Sequence, residues 1–252
     1  MTRNMSENTN RHGLTRNIPE DVKLQVRQAC GFGCVECGAS IVEYEHVNPE
    51  FKDAVSHTAE GIALLCASCH GNVTRKFWSK ERIAKARKNP FCKREGFSWG
   101  GLDIGSKHPV IRFAGVSFRK CRIPVEVRGT PLFLIENPEA DGAPFRLSAT
   151  FCDSKGTPLF LIRQNVWESR SGVWDTQFVG GRISIHDEQG SQSLAIRLEP
   201  PTGLAVERVD MMVNGYGFRG DSETLTVTTP GGGQTELTGC GVDGGRVGIS
   251  LG

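Results

Sequence analysis

No apolar run in this 252-residue chain approaches the ~18 residues needed to span a bilayer. The first seventeen residues, MTRNMSENTNRHGLTRN, also lack the hydrophobic stretch of a secretory signal. These absences argue against a membrane-embedded or Sec-exported protein, so a cytoplasmic location with no membrane partner is expected. Neither sign of charge dominates, with 30 Lys and Arg against 28 Asp and Glu, and net charge alone selects no partner. The 31 glycines follow no three-residue period, which excludes collagen and points to dense turns. What is present is enough apolar side chain for a packed core, in a length that suits two ordinary domains.

Two features are unevenly distributed. From Arg75 to Arg94 there are nine basic residues against the single acidic Glu81, a local net of +8 that a polyanion would feel strongly. Of the nine cysteines, Cys30, Cys34, Cys37, Cys66, Cys69 and Cys92 fall early, and only Cys121, Cys152 and Cys240 lie beyond. An odd count, tight pairs and no export signal favour metal thiolates over a disulfide framework.

Along the chain, residues 1–17 are polar without apolar period and read as a flexible arm. In PEDVKLQVRQAC a proline and two acids open a helix, Val22, Val26 and Ala29 recur at helical spacing, and Gly31 and Gly33 stop it. A short strand is expected over Ile41–Val47, and a basic helix capped by Ser79 must finish before Pro90. From about Ser106 the period changes to two. Leu147, Ala149 and Phe151, then Ile183 and Ile185, then Leu194, Ile196 and Leu198 alternate with other residues between turn signals, which predicts an all-β domain over 106–252. The heptapeptide Gly-Thr-Pro-Leu-Phe-Leu-Ile occurs at Gly129–Ile135 and again at Gly156–Ile162; two equivalent strands of a sandwich are favoured over a stacked repeat.

Cys34-Val-Glu-Cys37 and Cys66-Ala-Ser-Cys69 are two C-x2-C pairs separated by 28 residues, with a glycine after the first. Four thiolates so spaced can close a tetrahedral zinc site, and a domain with little core gains most from such a staple. Cys30 and Cys92 are read as ordinary cysteines, because the two pairs already fill the site. Between the pairs lie Glu45 and His46, and His70 directly follows Cys69. Closure of the zinc site brings these together, supplying a base and two ligands for a second metal, the set phosphodiester hydrolysis needs.

The stretches CVECG, YEHVNP and IALLCASCH, in this order and spacing, resemble the HNH endonucleases of the ββα-metal fold in the variety stapled by a four-cysteine zinc. The resemblance covers about a third of the chain. It implies an α+β multidomain protein in which an HNH domain over 18–100 precedes the all-β domain. His46 matches the general base; Glu45, where the family usually has Asp or His, and His70 match the ligands of a catalytic Mg2+ or other divalent ion. Cys34, Cys37, Cys66 and Cys69 match the structural Zn2+ ligands. The implied reaction leaves 5′-phosphate and 3′-hydroxyl ends, with His46 taking a proton from water.

One position departs from the family. Its middle asparagine, which braces the loop carrying the base, should fall five residues before Cys66, and Gly61 stands there. His57 in the same loop, or Asn48, is the candidate substitute, and His57 joins His46 as a catalytic candidate. In the basic run, Arg75, Lys76, Lys80, Arg82 and Lys85 are the expected DNA-phosphate contacts, while Phe77 and Trp78 are read as packing the helix onto its domain. In the β domain Trp167, Trp174, Asp175, Glu168 and His186 form no catalytic spacing, and His186, alternating with Ile185, is expected to face solvent. That domain is therefore assigned binding, assembly as a homodimer or with a protein partner, or regulation. The expected function is a DNA endonuclease, with restriction or antiviral defence as a fold-level association. The rival is a catalytically silent zinc-stapled nucleic-acid-binding or scaffold protein.

Overall fold

Pro19 cannot donate a backbone hydrogen bond and therefore sits at the N-cap of helix α1 (Glu20–Cys30), where Glu20 and Asp21 face the positive end of the helix dipole. Gly31 ends α1 in the left-handed region, φ 76°, and accepts no side chain without collision, since a Cβ there would lie 2.9 Å from Cys92. Val26 and Cys30 form its buried face. The structure, a computed structural model, describes residues 9–252, which divide into two compact units, one ending at Trp99 and the other running from Gly100.

In the first unit, strands β1 (Glu43–His46) and β2 (Ile62–Leu65) form an antiparallel hairpin with Glu45 opposite Ala63 and His46 opposite Ile62. Helix α2 (Ala67–Thr74) follows β2 directly. Helix α3 (Lys80–Lys88) begins under the Ser79 side chain, which accepts the Arg82 N–H at 3.2 Å, and helix α4 (Phe91–Glu95) follows Pro90. All four residues of β2 are buried, and with Val26, Val35, Val47, Val73 and Ile83 they make one small core.

The arm expected over 1–17 needs correction from Thr9 onward; residues 1–8 lie outside the described residues. Thr9 pairs with Thr15, and Asn10 Oδ1 accepts the N–H groups of His12 and Leu14 at 2.9 and 3.0 Å. Asn10 Nδ2 then donates to the carbonyls of Phe51 and Ala54, and Arg11 pairs with Asp53 at 2.8 Å. This segment is a tight turn docked on the loop after β1. Its anchors are main-chain carbonyls and charges, so no apolar period announces it.

The second unit is all β among the described residues. Seven consecutive antiparallel strands run from Asp175 to Thr238, and the longest of them, Gly203–Val213, also pairs in parallel with Val110–Phe113. A further meander contains Phe133–Glu136, Arg146–Cys152, Pro158–Arg163 and Val166–Arg170. Aromatic rings join the two meanders across a common core: Phe113 lies 5.3 Å from Phe133, and Trp167 stacks on Phe178. The whole is a β-rich α+β architecture.

The duplicated heptapeptide occupies both flanks of one strand. Ala149 pairs with Phe133 on one side and with Ile162 on the other, so the copies are offset by two residues and Phe133, Ile135, Phe160 and Ile162 all face the core. An offset of two preserves the face, where an offset of one would reverse it.

Candidate metal centre and active site

Each C-x2-C pair sits on a turn that points both sulfurs one way. In the first, Gly38 N–H donates to the Cys34 carbonyl and Cys34 N–H to that of Ala39, each at 2.9 Å. Gly38 has φ 79°, and a Cβ there would enter the Phe91 ring at 2.4 Å. In the second, Cys66 caps α2, its sulfur accepting the Cys69 N–H at 3.5 Å. Val35 N–H donates to the Leu64 carbonyl at 3.0 Å, tying the first turn to β2.

The sulfurs of Cys34, Cys37, Cys66 and Cys69 all lie within 4.8 Å of one another. Cys37 Sγ is 3.7 Å from Cys66 Sγ and 3.8 Å from Cys69 Sγ. Four sulfurs about 2.3 Å from one ion at tetrahedral angles stand about 3.8 Å apart, so this set is shaped for a metal ion such as zinc. Hydrogen bonding from the Cys37 thiol pulls Cys34 down, while the same bond pushes Cys37 up and burial raises Cys69. Sulfurs crowded this closely are an arrangement that a divalent cation, binding them as thiolates, relieves. Cys30 and Cys92 stand outside the set, fully buried.

Around this staple the structure pairs the candidate residues two by two. On β1, Glu43 and Glu45 share a face by strand alternation. His70, from the first turn of α2, meets both: its Nδ1 lies 3.0 Å from Glu43 Oε2 and its Nε2 3.0 Å from Glu45 Oε2. His46 is buried at the end of β1, and its Nε2 lies 3.1 Å from His57 Nδ1. Burial first, and then neighbouring His57, hold the His46 imidazole below its ordinary pKa, which keeps it neutral. Phe51 walls it, ring to ring at 5.3 Å, and Arg16 stacks on Phe51 at 4.6 Å.

Lys80 links the two pairs. From the start of α3 its ammonium donates to Glu45 Oε1 and, at 2.7 Å, to the main-chain carbonyl of His46. Glu45, His46 and Lys80 line a cleft of about 310 Å³ with Arg16, Lys52 and Phe51 on its walls. Sequence reasoning assigned Lys80 to DNA phosphates; the structure turns it inward, 34 residues from the strand it grips. Nothing in the sequence announces that reach. Glu43 was missed as well, although its place two residues before Glu45 on the same strand face is a signal that finds it.

The rest of the basic run divides. Arg75, Lys76 and Lys85 are exposed. Arg82 pairs with Glu36 at 2.8 Å and lies 3.8 Å over the Trp78 ring, while Arg87 holds the carbonyls of Ile62 and Ala59. Trp78 packs on the core as expected, whereas Phe77 stays 77% exposed, so a large apolar ring projects from the exposed end of this run.

Gly61 braces the loop that follows His46 by its backbone. Its carbonyl accepts the N–H of Val47 at 2.8 Å and of Asn48 at 3.3 Å. A Cβ here would stand 2.8 Å from the Asn48 carbonyl oxygen and 3.0 Å from Thr58 Oγ1, leaving no room for an asparagine.

In the second unit Trp167 is core, while Trp174 and His186 line a cleft of about 610 Å³. His186 keeps the alternation, on the face opposite Ile183 and Ile185, but it is half-buried in the wall of that cleft, its Nδ1 buried without a hydrogen-bond partner. No family model matches the chain, and no curated protein or solved structure is significantly similar to it.

Proposed function

We propose that the first unit is a metal-dependent HNH-type endonuclease domain hydrolysing DNA phosphodiester bonds, and that the second targets or assembles it. One observation carries this reading. A hairpin and helix pinned by four sulfurs hold a buried neutral imidazole, His46, and the carboxylate of Glu45 in one cleft, with His70 on that carboxylate.

The donor set suits a divalent ion, because carboxylate oxygen and imidazole nitrogen are the ligands such ions accept. Glu45 and His70 would hold Mg2+ or a related ion, which supplies neutralisation of the charge gathering on the phosphate and on the departing 3′ oxygen. The chain's own residues do the remainder. His46 takes the proton from water aligned with the phosphorus. Arg16 and Lys52 on the cleft walls attract a phosphate into it, and exposed Arg75, Lys76 and Lys85 add sequence-independent affinity.

The test is plasmid cleavage with Mg2+, Mn2+ or Ni2+ by wild type and His46→Ala. We expect nicking by wild type and a loss of about 100-fold or more in the variant. Equal nicking by both removes His46 from the mechanism.

One observation favours a second reading. Both oxygens of Glu45 are already paired, one with Lys80 and the other with His70, as in a site settled for structure rather than turnover. A zinc-stapled nucleic-acid-binding or scaffold protein without catalysis would bind DNA in a salt-sensitive way and cleave it under no metal.

A further inference from the structure

We propose that His57 is a positioning residue: it transmits the fixed polarity of the Thr15 carbonyl to His46 and so leaves Nδ1 as the free, basic nitrogen of His46. The inference deepens the nuclease reading and rests on it for its catalytic consequence, though not for its geometry.

The argument starts from an atom that has no choice. A main-chain carbonyl oxygen only accepts hydrogen bonds. Thr15 O lies 2.9 Å from His57 Nε2, so that nitrogen carries the proton. A neutral imidazole has one N–H, and His57 Nδ1 therefore presents a lone pair. That lone pair faces His46 Nε2 at 3.1 Å, so His46 must donate from Nε2. Its single proton is then spent, and Nδ1 is left to accept one from water. The opposite tautomers would set a His57 lone pair against the Thr15 oxygen and forfeit that hydrogen bond.

The carbonyl at the head of this relay is itself fixed. Thr15 pairs with Thr9, and Asn10 and Arg11 fasten the same turn to the Phe51–Ala54 segment just before His57. Residues 9–17 are thus part of the site, and their contribution is main-chain polarity, which no substitution of the Thr15 side chain removes.

The deciding measurement is the ring-nitrogen spectrum of His46 in the full-length, zinc-loaded protein, at a pH well above the ordinary imidazole range. Its signals are assigned by their loss in His46→Gln. We expect the Nε2–H tautomer in wild type. His57→Gln preserves it, because an amide accepts from His46 through oxygen and donates to Thr15 through nitrogen. His57→Leu yields a mixture of tautomers. Should His57→Leu not fold, Asn10→Ala combined with Arg11→Ala frees the turn with both rings intact, and the same mixture is expected.

An Nδ1–H tautomer in wild type overturns the proposal, and so does a wild-type tautomer in His57→Leu or in the double variant. In cleavage assays, His57→Leu lowers kcat by about 10-fold or more at unchanged KM, and His57→Gln restores it. A correct tautomer with no cleavage by any variant would defeat the nuclease reading and leave the relay standing.

Discussion

Lys80 and Glu45 are joined although they lie on different elements, α3 and β1, and the same ammonium also holds the main-chain oxygen of His46. Lys80→Met should therefore act on organisation of the site, not on attraction of the nucleic acid. Cleavage is expected to fall at least about 10-fold, by the loss of a positioned charge, with DNA affinity and its salt dependence nearly intact. Exposed Arg75, Lys76 and Lys85 should behave oppositely. Each substitution by alanine should lower the slope of log affinity against log salt by up to about 0.9. Binding isotherms at several salt concentrations separate the two behaviours, and a Lys80 variant that merely weakens binding would refute this division.

Gly61 gives a prediction of unusual sign. Installing the asparagine that HNH endonucleases carry at the matching position should damage the protein, because the Asn48 carbonyl and Thr58 hydroxyl occupy the space a side chain needs. Gly61→Ala is expected to cost about 1–3 kcal/mol from crowding, and Gly61→Asn at least as much. Urea unfolding measures both. A stabilised Gly61→Asn variant with raised cleavage would show that the loop relaxes to admit the amide.

Metal analysis of the purified chain should give one zinc, bound by Cys34, Cys37, Cys66 and Cys69. Cys69→Ser, or removal of the ion by a chelator, should abolish cooperative unfolding of the first unit, since the energy of ligation is folding energy in so small a core. The second unit has its own large core and should keep its transition. Calorimetry on the intact chain resolves the two. A Cys69→Ser variant that retains zinc would exclude the four-sulfur assignment.

Burial pushes the Cys30 thiol up to about 11 and that of Cys92 to about 12, from 9.0. Between those values the unfolded chain releases protons that the folded chain keeps. Fewer protons on the unfolded side make stability fall as pH rises past about 9, with no contribution below it. Unfolding at pH 8 and pH 10 should therefore differ more in wild type than in Cys92→Ala, and equal differences would count against burial of that thiol. Exposed Cys240 should be alkylated at pH 8 while Cys30 and Cys92 are spared.

Where the chemistry is local, the residues announce it. The start of α1 at Pro19, its end at Gly31, the Ser79 cap and the two C-x2-C turns all depend on neighbours within a few positions, and all can be read from order alone. The β-rich character was equally legible, because alternation along each strand reflects one buried face. Contacts made over long separations were not. His57 meets Thr15 across 42 residues and Lys80 meets Glu45 across 35, and neither spacing has any periodic signature. The turn at residues 9–17 escaped for a related reason, since an amide and a guanidinium hold it. At His186 the alternation held as at Ile183 and Ile185, but that its outward face forms a cleft wall depends on distant segments and has no local signal.

The twin heptapeptides suggest an order of events during folding. Both copies offer the same apolar surface to the strand Arg146–Cys152, yet one is attached to it by the tight Asp153–Thr157 turn and the other by the longer excursion from Glu136 to Arg146. Closing the shorter loop is entropically cheaper. The later copy should thus zip up first and leave its elder twin the vacant edge, so that tether length, not side-chain identity, decides which of two near-identical ribbons lands where.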